Sequence, residues 1–296
     1  MQTGFVPKGI IPAMVTPFDS QGKINKSALQ KLTNYLIEGG VHGLFPIGSQ
    51  GEFYAMEREE KKKVLEIVME EAHGKVPVYA GTGAITTRES IELTKMAEDI
   101  GVDAVSILTP FFVRPSQEEL YEHYLSIASN TNLPVILYGN PERTGVNLGV
   151  DLVMRLSDVD NIVGIKDSSG DMTLIGEYIR KTKDDFSVLA GRDTVIYASL
   201  VYGGKGSITA TANVAPKLVV EIYESYMQGD HKKALRAQYA LAPLRMAFGL
   251  GTFPVVIKEA LNMLGIEAGS ARAPVGKMQE EGRKKLQEVV RNMDLL

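Results

Sequence analysis

The stretch Asn161-Ile162-Val163-Gly164-Ile165-Lys166-Asp167-Ser168-Ser169-Gly170 holds the residue best suited to covalent chemistry. Its apolar run reads as a strand of a parallel sheet, covered on both faces, and it ends on a lysine. Burial disfavours the charged ammonium. A neutral amine attacks a ketone and forms a Schiff base. A lysine at a strand end can also simply snorkel its charge to the surface, so Lys166 gains meaning only from what surrounds it.

Four further segments follow apolar runs. Gly48-Ser49-Gln50-Gly51-Glu52 places two glycines around a hydroxyl. Such a turn admits a ligand close to the backbone and can aim successive N–H groups at an anion. A tight strand-to-helix turn accounts for the same residues. A nucleophile elbow does not, because Ile47 stands two residues before Ser49 where that motif needs glycine. Leu137-Tyr138-Gly139-Asn140-Pro141-Glu142-Arg143-Thr144-Gly145 offers a phenol able to shuttle a proton and a planar fork for a carboxylate. A core tyrosine and a solvated arginine are the plainer reading. Gly191-Arg192-Asp193-Thr194 presents polar groups that can meet substrate hydroxyls or cap a helix. Gly203-Gly204-Lys205-Gly206 lacks the Walker A order, and its glycines are expected to relieve crowding near Lys166.

Composition bounds the rest. The chain has 296 residues, 44% of them hydrophobic, with 32 basic and 36 acidic residues and a net charge of -4. No basic stripe points to nucleic acid. The absence of Cys excludes disulfides, thiolate catalysis and Cys-bound zinc. His42, His73, His123 and His231 are scattered without metal-ligand spacing. No signal-like apolar run opens the sequence and no window reaches the roughly 18 apolar residues of a membrane span. A cytoplasmic protein with no metal and no membrane contact is expected.

The elements that must position these residues alternate. Candidate strands are 9–15, 43–47, 76–80, 103–108, 134–138, 161–165, 186–190 and 205–208. Amphipathic stretches at 27–39, 57–73, 87–100, 117–129, 149–157, 172–182 and 193–202 lie between them. Eight strand–helix units in series predict parallel strands with right-handed crossovers, closed as a (β/α)8 TIM barrel. An open doubly wound sheet would want a G-x-G-x-x-G turn early, and residues 9–16 have none. Four helices follow, at 214–228, 231–247, 254–264 and 277–293. The reading is a barrel over 1–228 and a C-terminal three-helix extension over 229–296. Barrel enzymes keep their chemistry at the carboxyl ends of the strands, which is where Ser49, Tyr138, Lys166 and Asp193 fall.

Together, Gly48 to Glu52, Tyr138 to Gly145 and Gly164 to Asp167 resemble the motifs of the dihydrodipicolinate synthase / N-acetylneuraminate lyase family, in order and at matching spacing along essentially the whole chain. The resemblance implies a class I pyruvate aldolase without a cofactor, its electron sink being a covalent imine on Lys166. It implies that Lys166 condenses with pyruvate or a 2-oxo acid and that Tyr138 relays protons. The Ser49 hydroxyl and the Ser49–Gln50 amides would hold the pyruvate carboxylate, with Gly48 opening that turn. The Ile208 carbonyl would sit near the imine. Gly191 and Asp193 remain candidates for substrate hydroxyls. A homotetramer, a dimer of dimers, is the family's usual assembly.

Departures bear on the substrate. Dihydrodipicolinate synthases usually carry two Thr where Ser49-Gln50 stands, and a Tyr where Phe112 stands, supplied across a subunit boundary. Arg58, Lys61 and Ile85 replace the usual feedback-site residues, so no inhibition by lysine is expected. Arg143 pulls the other way, since it matches the arginine that binds the aldehyde's carboxylate in the synthases. Gly48-Ser49-x-Gly51-Glu52-Phe53 and Thr252 to Ala260 look closer to the 2-keto-3-deoxy sugar acid aldolases. The favoured expectation is a Schiff-base lyase that reversibly adds pyruvate to an aldehyde, cleaving a 2-keto-3-deoxy sugar acid or related hydroxy-2-oxo acid. Dihydrodipicolinate synthase is the alternative, then N-acetylneuraminate lyase or a keto-deoxy sugar acid dehydratase. A non-catalytic 2-oxo acid sensor would not need Lys166, Tyr138 and Ser49 together. A barrel binding phosphate through the 203–206 glycines is a further rival.

Overall fold

The computed structural model describes residues 4–296. Among these residues seven strands are regular: β1 (Gly9–Pro12), β2 (Tyr79–Gly81), β3 (Ala104–Leu108), β4 (Val135–Gly139), β5 (Ile162–Asp167), β6 (Ser187–Ala190) and β7 (Gly206–Thr209). They pair in parallel in the order β1-β7-β6-β5-β4-β3-β2. Residues 44 and 45 fill the remaining gap. Phe45 N–H donates to Pro12 O and Met14 N–H to Phe45 O, both at 2.9 Å, while Leu44 N–H donates to Pro77 O at 2.9 Å and Tyr79 N–H to Leu44 O at 2.8 Å. The ring is therefore closed. The strand expected at 43–47 contributes only two isolated bridges. Pro46 has no N–H to donate and its carbonyl takes only a long bond from Gly81 N–H at 3.4 Å. Ile47 then turns the backbone to φ 48°, so no regular strand forms.

Among the described residues twelve helices surround and extend the barrel: α1 (Lys26–Glu38), α2 (Arg58–Ala72), α3 (Thr87–Ile100), α4 (Gln117–Ala128), α5 (Pro141–Thr144), α6 (Val150–Leu156), α7 (Met172–Lys181), α8 (Ile196–Val201), α9 (Pro216–Met227), α10 (His231–Met246), α11 (Val255–Met263) and α12 (Glu280–Asn292). Local chemistry sets their starts. Ser116 and Glu119 form a capping box at α4, and the Asp171 carboxylate takes the first free N–H groups of α7 from Thr173 and Leu174. The helix expected at 193–202 is broken. Its first three residues form a 3-10 turn, Asp193–Val195, and only then does α8 begin. The four-residue α5, started by Pro141, was not anticipated.

Two apolar layers hold the barrel. The inner one takes Ile11 from β1, Phe45, Tyr79 from β2, Ala104 from β3, Ile136 from β4, Leu189 from β6 and Ile208 from β7, all buried. The outer one packs strands against helices, with Val105, Leu137, Ile165 and Val188 meeting helical residues such as Leu65, Leu120, Leu152 and Ile175. Side chains alternate between these layers along each strand. One expectation is corrected here. Gly206 is the register partner of Gly9 on β1, so it eases the β1–β7 seam and not the surroundings of Lys166. Among the described residues no single helix is long and apolar enough to cross a membrane.

Candidate active site

A cavity of about 430 Å³ opens at the carboxyl ends of the strands, and Ser49, Gln50, Tyr138, Arg143, Lys166, Gly191, Asp193 and Ile208 all line it. Eight of the nine residues singled out from the sequence therefore meet at one place, and the ninth, Gly48, lies immediately beside it.

Lys166 extends from β5 and is 4% exposed. Its register partner on β4 is Tyr138. The Lys166 Nζ lies 3.9 Å from the centre of the Tyr138 ring and 5.0 Å from that of Phe45. Phe45 thus forms an aromatic wall beside the amine. A Cβ on residue 48 would come within 2.6 Å of the Phe45 ring, so only glycine lets the Ser49 turn pass over it.

The Tyr138 hydroxyl meets several polar groups of the site. Burial alone would raise its pKa. The Lys166 charge and hydrogen bonds from Ser49, Asn140 and Ser168 outweigh burial and bring the phenol below the usual tyrosine value. Asn140 Nδ2 donates to it at 3.1 Å. Asn140 and Ser168 were missed in the sequence, yet a signal was present. Each stands two residues past a named catalytic candidate, and residues i and i+2 of an extended chain point to the same side. Ser168 is brought in by a close crossing of chains: its N–H donates to Gly139 O at 2.9 Å, and Gly191 N–H donates to Asp167 O at 2.6 Å. Asp167, the next residue after the lysine, turns away. Its carboxylate accepts from the Ser169 hydroxyl at 2.5 Å, and burial leaves its pKa raised despite that bond.

The Gly48–Glu52 turn has unused hydrogen-bonding capacity. Gln50 is 3% exposed, and neither its side-chain oxygen nor its nitrogen has a partner among the described residues. Buried polar groups are normally paired, so this amide is suited to a bound ligand. The Arg143 guanidinium also lines the cavity and stacks 3.9 Å from the ring centre of Phe253, and among the described residues no ion pair of 4 Å or less occupies it. Arg192, by contrast, is paired with Glu142 at 2.9 Å.

Asp193 lines the cavity, but its carboxylate is already committed. One oxygen accepts from the Thr209 hydroxyl, from Thr211 N–H at 3.1 Å and from the Thr211 hydroxyl at 2.7 Å. The other lies 3.4 Å from Arg245 Nε. Gln238 of α10 donates to its backbone oxygen at 2.9 Å. It ties the end of β7 to β6 and to α10. Phe112, expected where a tyrosine would reach across a subunit boundary, is 93% exposed in left-handed backbone at φ 73°.

An exposed polar cavity holding a buried amine, a phenol, a hydroxyl and an unpaired guanidinium can carry out carbonyl addition and proton transfer. Comparisons with known proteins agree. Residues 6–293 match the dihydrodipicolinate synthetase family. A 4-hydroxy-tetrahydrodipicolinate synthase of Methanopyrus kandleri is 39% identical over 295 residues, 99% of this chain and 98% of that protein. Dihydrodipicolinate synthase DapA-2 of Bacillus anthracis superposes with a TM-score of 0.94 at 38% identity, covering 97% of this chain and 99% of that one. The dihydrodipicolinate synthase of Acinetobacter baumannii, solved with pyruvate, gives a TM-score of 0.95 at 35% identity over 98% of this chain and 99% of that one. With motifs, barrel and near full-length relatives in agreement, this chain belongs to the dihydrodipicolinate synthetase family and is an enzyme of its lyase class.

Proposed function

We propose that this protein condenses pyruvate with aspartate semialdehyde through a Schiff base on Lys166, the activity by which its relatives of about 40% identity are named. The observation that carries the reading is the contact of Lys166 Nζ with Tyr138 at the floor of a cavity that also presents Ser49, Gln50 and Arg143. The relatives favour this over the sugar acid cleavage that the sequence first suggests.

In this reading the Lys166 ammonium first gives up a proton to solvent, and the free amine adds to C2 of pyruvate, whose carbonyl oxygen becomes a hydroxyl by taking a proton from Tyr138. Loss of water leaves the imine. A proton leaves C3, its electrons are drawn towards the protonated imine nitrogen, and the resulting enamine attacks the aldehyde carbon. The aldehyde oxygen takes up a proton. The amino group of the semialdehyde then attacks C2 and expels the Lys166 amine, closing the ring. Ser49 and Gln50 hold the pyruvate carboxylate, and Arg143 takes that of the semialdehyde in bidentate fashion. A homotetramer, the family's usual assembly, would cover exposed apolar side chains such as Phe112 and Val113.

Phe112 favours one second reading. It has no hydroxyl to pass a proton across a subunit boundary, which suits cleavage of a 2-keto-3-deoxy sugar acid better than synthase chemistry. An assay of pyruvate consumption with aspartate semialdehyde separates the two. Turnover at ordinary enzyme rates supports the synthase. No turnover, with pyruvate released from a 2-keto-3-deoxy sugar acid, would overturn it in favour of the second reading.

A further inference from the structure

Away from the reacting centre, a buried ion pair joins the C-terminal helices to the turn that carries Ser49 and Gln50. Within that turn Gly51 N–H donates to Gly48 O at 3.0 Å and Glu52 N–H to Ser49 O at 3.2 Å. The turn is anchored from outside at two points. The Thr16 hydroxyl donates to Gly51 O at 2.7 Å. Glu52, in left-handed backbone at φ 59° where few residues other than glycine settle, supplies the second.

The Glu52 side chain is fully buried, and its Oε1 lies 2.6 Å from Lys258 Nζ, itself on a side chain only 1% exposed. Its Oε2 accepts Arg272 N–H at 2.9 Å. Lys258 comes from α11. It donates to Ser270 O at 3.1 Å and lies 4.2 Å from the ring centre of Phe18. The Arg272 guanidinium rests 4.2 Å from the same ring and holds Glu60 and Ala55 O. This pair lies outside the set of residues that touch the reacting atoms.

Its consequence is electrostatic. A carboxylate three residues beyond Ser49 opposes any anion that the turn is to receive. At an effective dielectric near 20, one unit charge about 10 Å away alters anion binding by roughly tenfold. Removing one member of a buried pair leaves the other uncompensated. We propose that Lys258 is a positioning residue of the pyruvate site: it neutralises and holds Glu52 so that the Gly48–Glu52 turn keeps its shape and accepts a carboxylate. The proposal rests on the Schiff-base reading above, and it gives the C-terminal extension a direct part in substrate binding.

The test is the pyruvate concentration that half-saturates borohydride-trapped adduct on the intact protein, without aldehyde, with the thermal midpoint measured beside it. Lys258→Met is expected to raise that concentration about tenfold or more, and Glu52→Gln to lower it about two- to fivefold. The double variant Glu52→Gln/Lys258→Met should return to within about threefold of the parent. A purely structural role weakens all three variants in step with their thermal midpoints, which would overturn the proposal. So would an unchanged Lys258→Met. Should Lys258→Met fail to fold, Glu52→Gln and the double variant decide alone, since weaker pyruvate binding in Glu52→Gln contradicts the electrostatic sign. No adduct on the parent protein would instead remove the Schiff-base reading, and this proposal with it.

Discussion

Tyr138 and Lys166 are register partners on adjacent parallel strands, and the amine lies 3.9 Å from the centre of the phenol ring. A phenol and an amine are thereby brought together by backbone pairing, not by flexible loops. Both side chains are at most 4% exposed, so neither needs to be ordered when substrate arrives, which lowers the entropic barrier to reaction.

Replacing Tyr138 tests the relay. Tyr138→Phe keeps the ring beside Lys166 and removes the hydroxyl that Asn140, Ser49 and Ser168 contact. We predict a fall in kcat of about 10²–10⁴, the usual worth of a general acid–base group, with the thermal midpoint nearly unchanged. The neighbouring charge holds the phenol below the ordinary tyrosine value. A group that must carry a proton loses activity as pH rises through its pKa, so the parent should show an alkaline decline beginning below the pH at which a free tyrosine ionises. Steady-state rates across pH should find that limb in the parent and not in Tyr138→Phe.

Arg143 tests the second substrate. Its guanidinium stacks on Phe253 and lines the cavity, with no carboxylate paired to it among the described residues. Arg143→Ala should raise KM for aspartate semialdehyde by about ten- to a hundredfold, since a hydrogen-bonded charge contributes roughly 1.5–3 kcal/mol. Pyruvate adduct formation should persist. Lysine at this position restores little, because an ammonium cannot reproduce the planar fork. An unaltered KM for the semialdehyde would remove Arg143 from the site.

Much of this site is legible in the sequence because strand ends are local. Lys166 closes an apolar run, Tyr138 another, and the Gly48–Glu52 glycines announce a turn. What was missed depends on contacts between distant segments. Nothing near Lys258 signals that Glu52 is its partner. Nothing near Asp193 signals that Thr209 and Thr211 take up its carboxylate, although the residue still lines the cavity. The strand at 43–47 was expected from its apolar residues, but Pro46 and the left-handed Ile47 reduce it to isolated bridges that still close the ring.

His123 tests the fold by itself. It is 5% exposed, its Nδ1 meets the Thr87 hydroxyl at 2.9 Å, and its Nε2 has no hydrogen-bond partner among the described residues. Burial lowers its pKa to about 4. The unfolded chain therefore takes up this proton first, near pH 6.5, so the stability it contributes is whole above that pH and is lost as pH falls towards 4. Between pH 7.5 and 5 the parent should lose about 2 kcal/mol from this group alone. Urea unfolding at the two pH values should give a correspondingly smaller loss in His123→Gln; an equal loss would mean that the imidazole is protonated in the folded protein.

The most direct test of the central claim is borohydride reduction in the presence of pyruvate, followed by peptide mass spectrometry of the parent and of Lys166→Ala. The account predicts one reduced pyruvate adduct, located on Lys166, and neither adduct nor turnover in the variant. An adduct on another lysine, or turnover that survives Lys166→Ala, would contradict it.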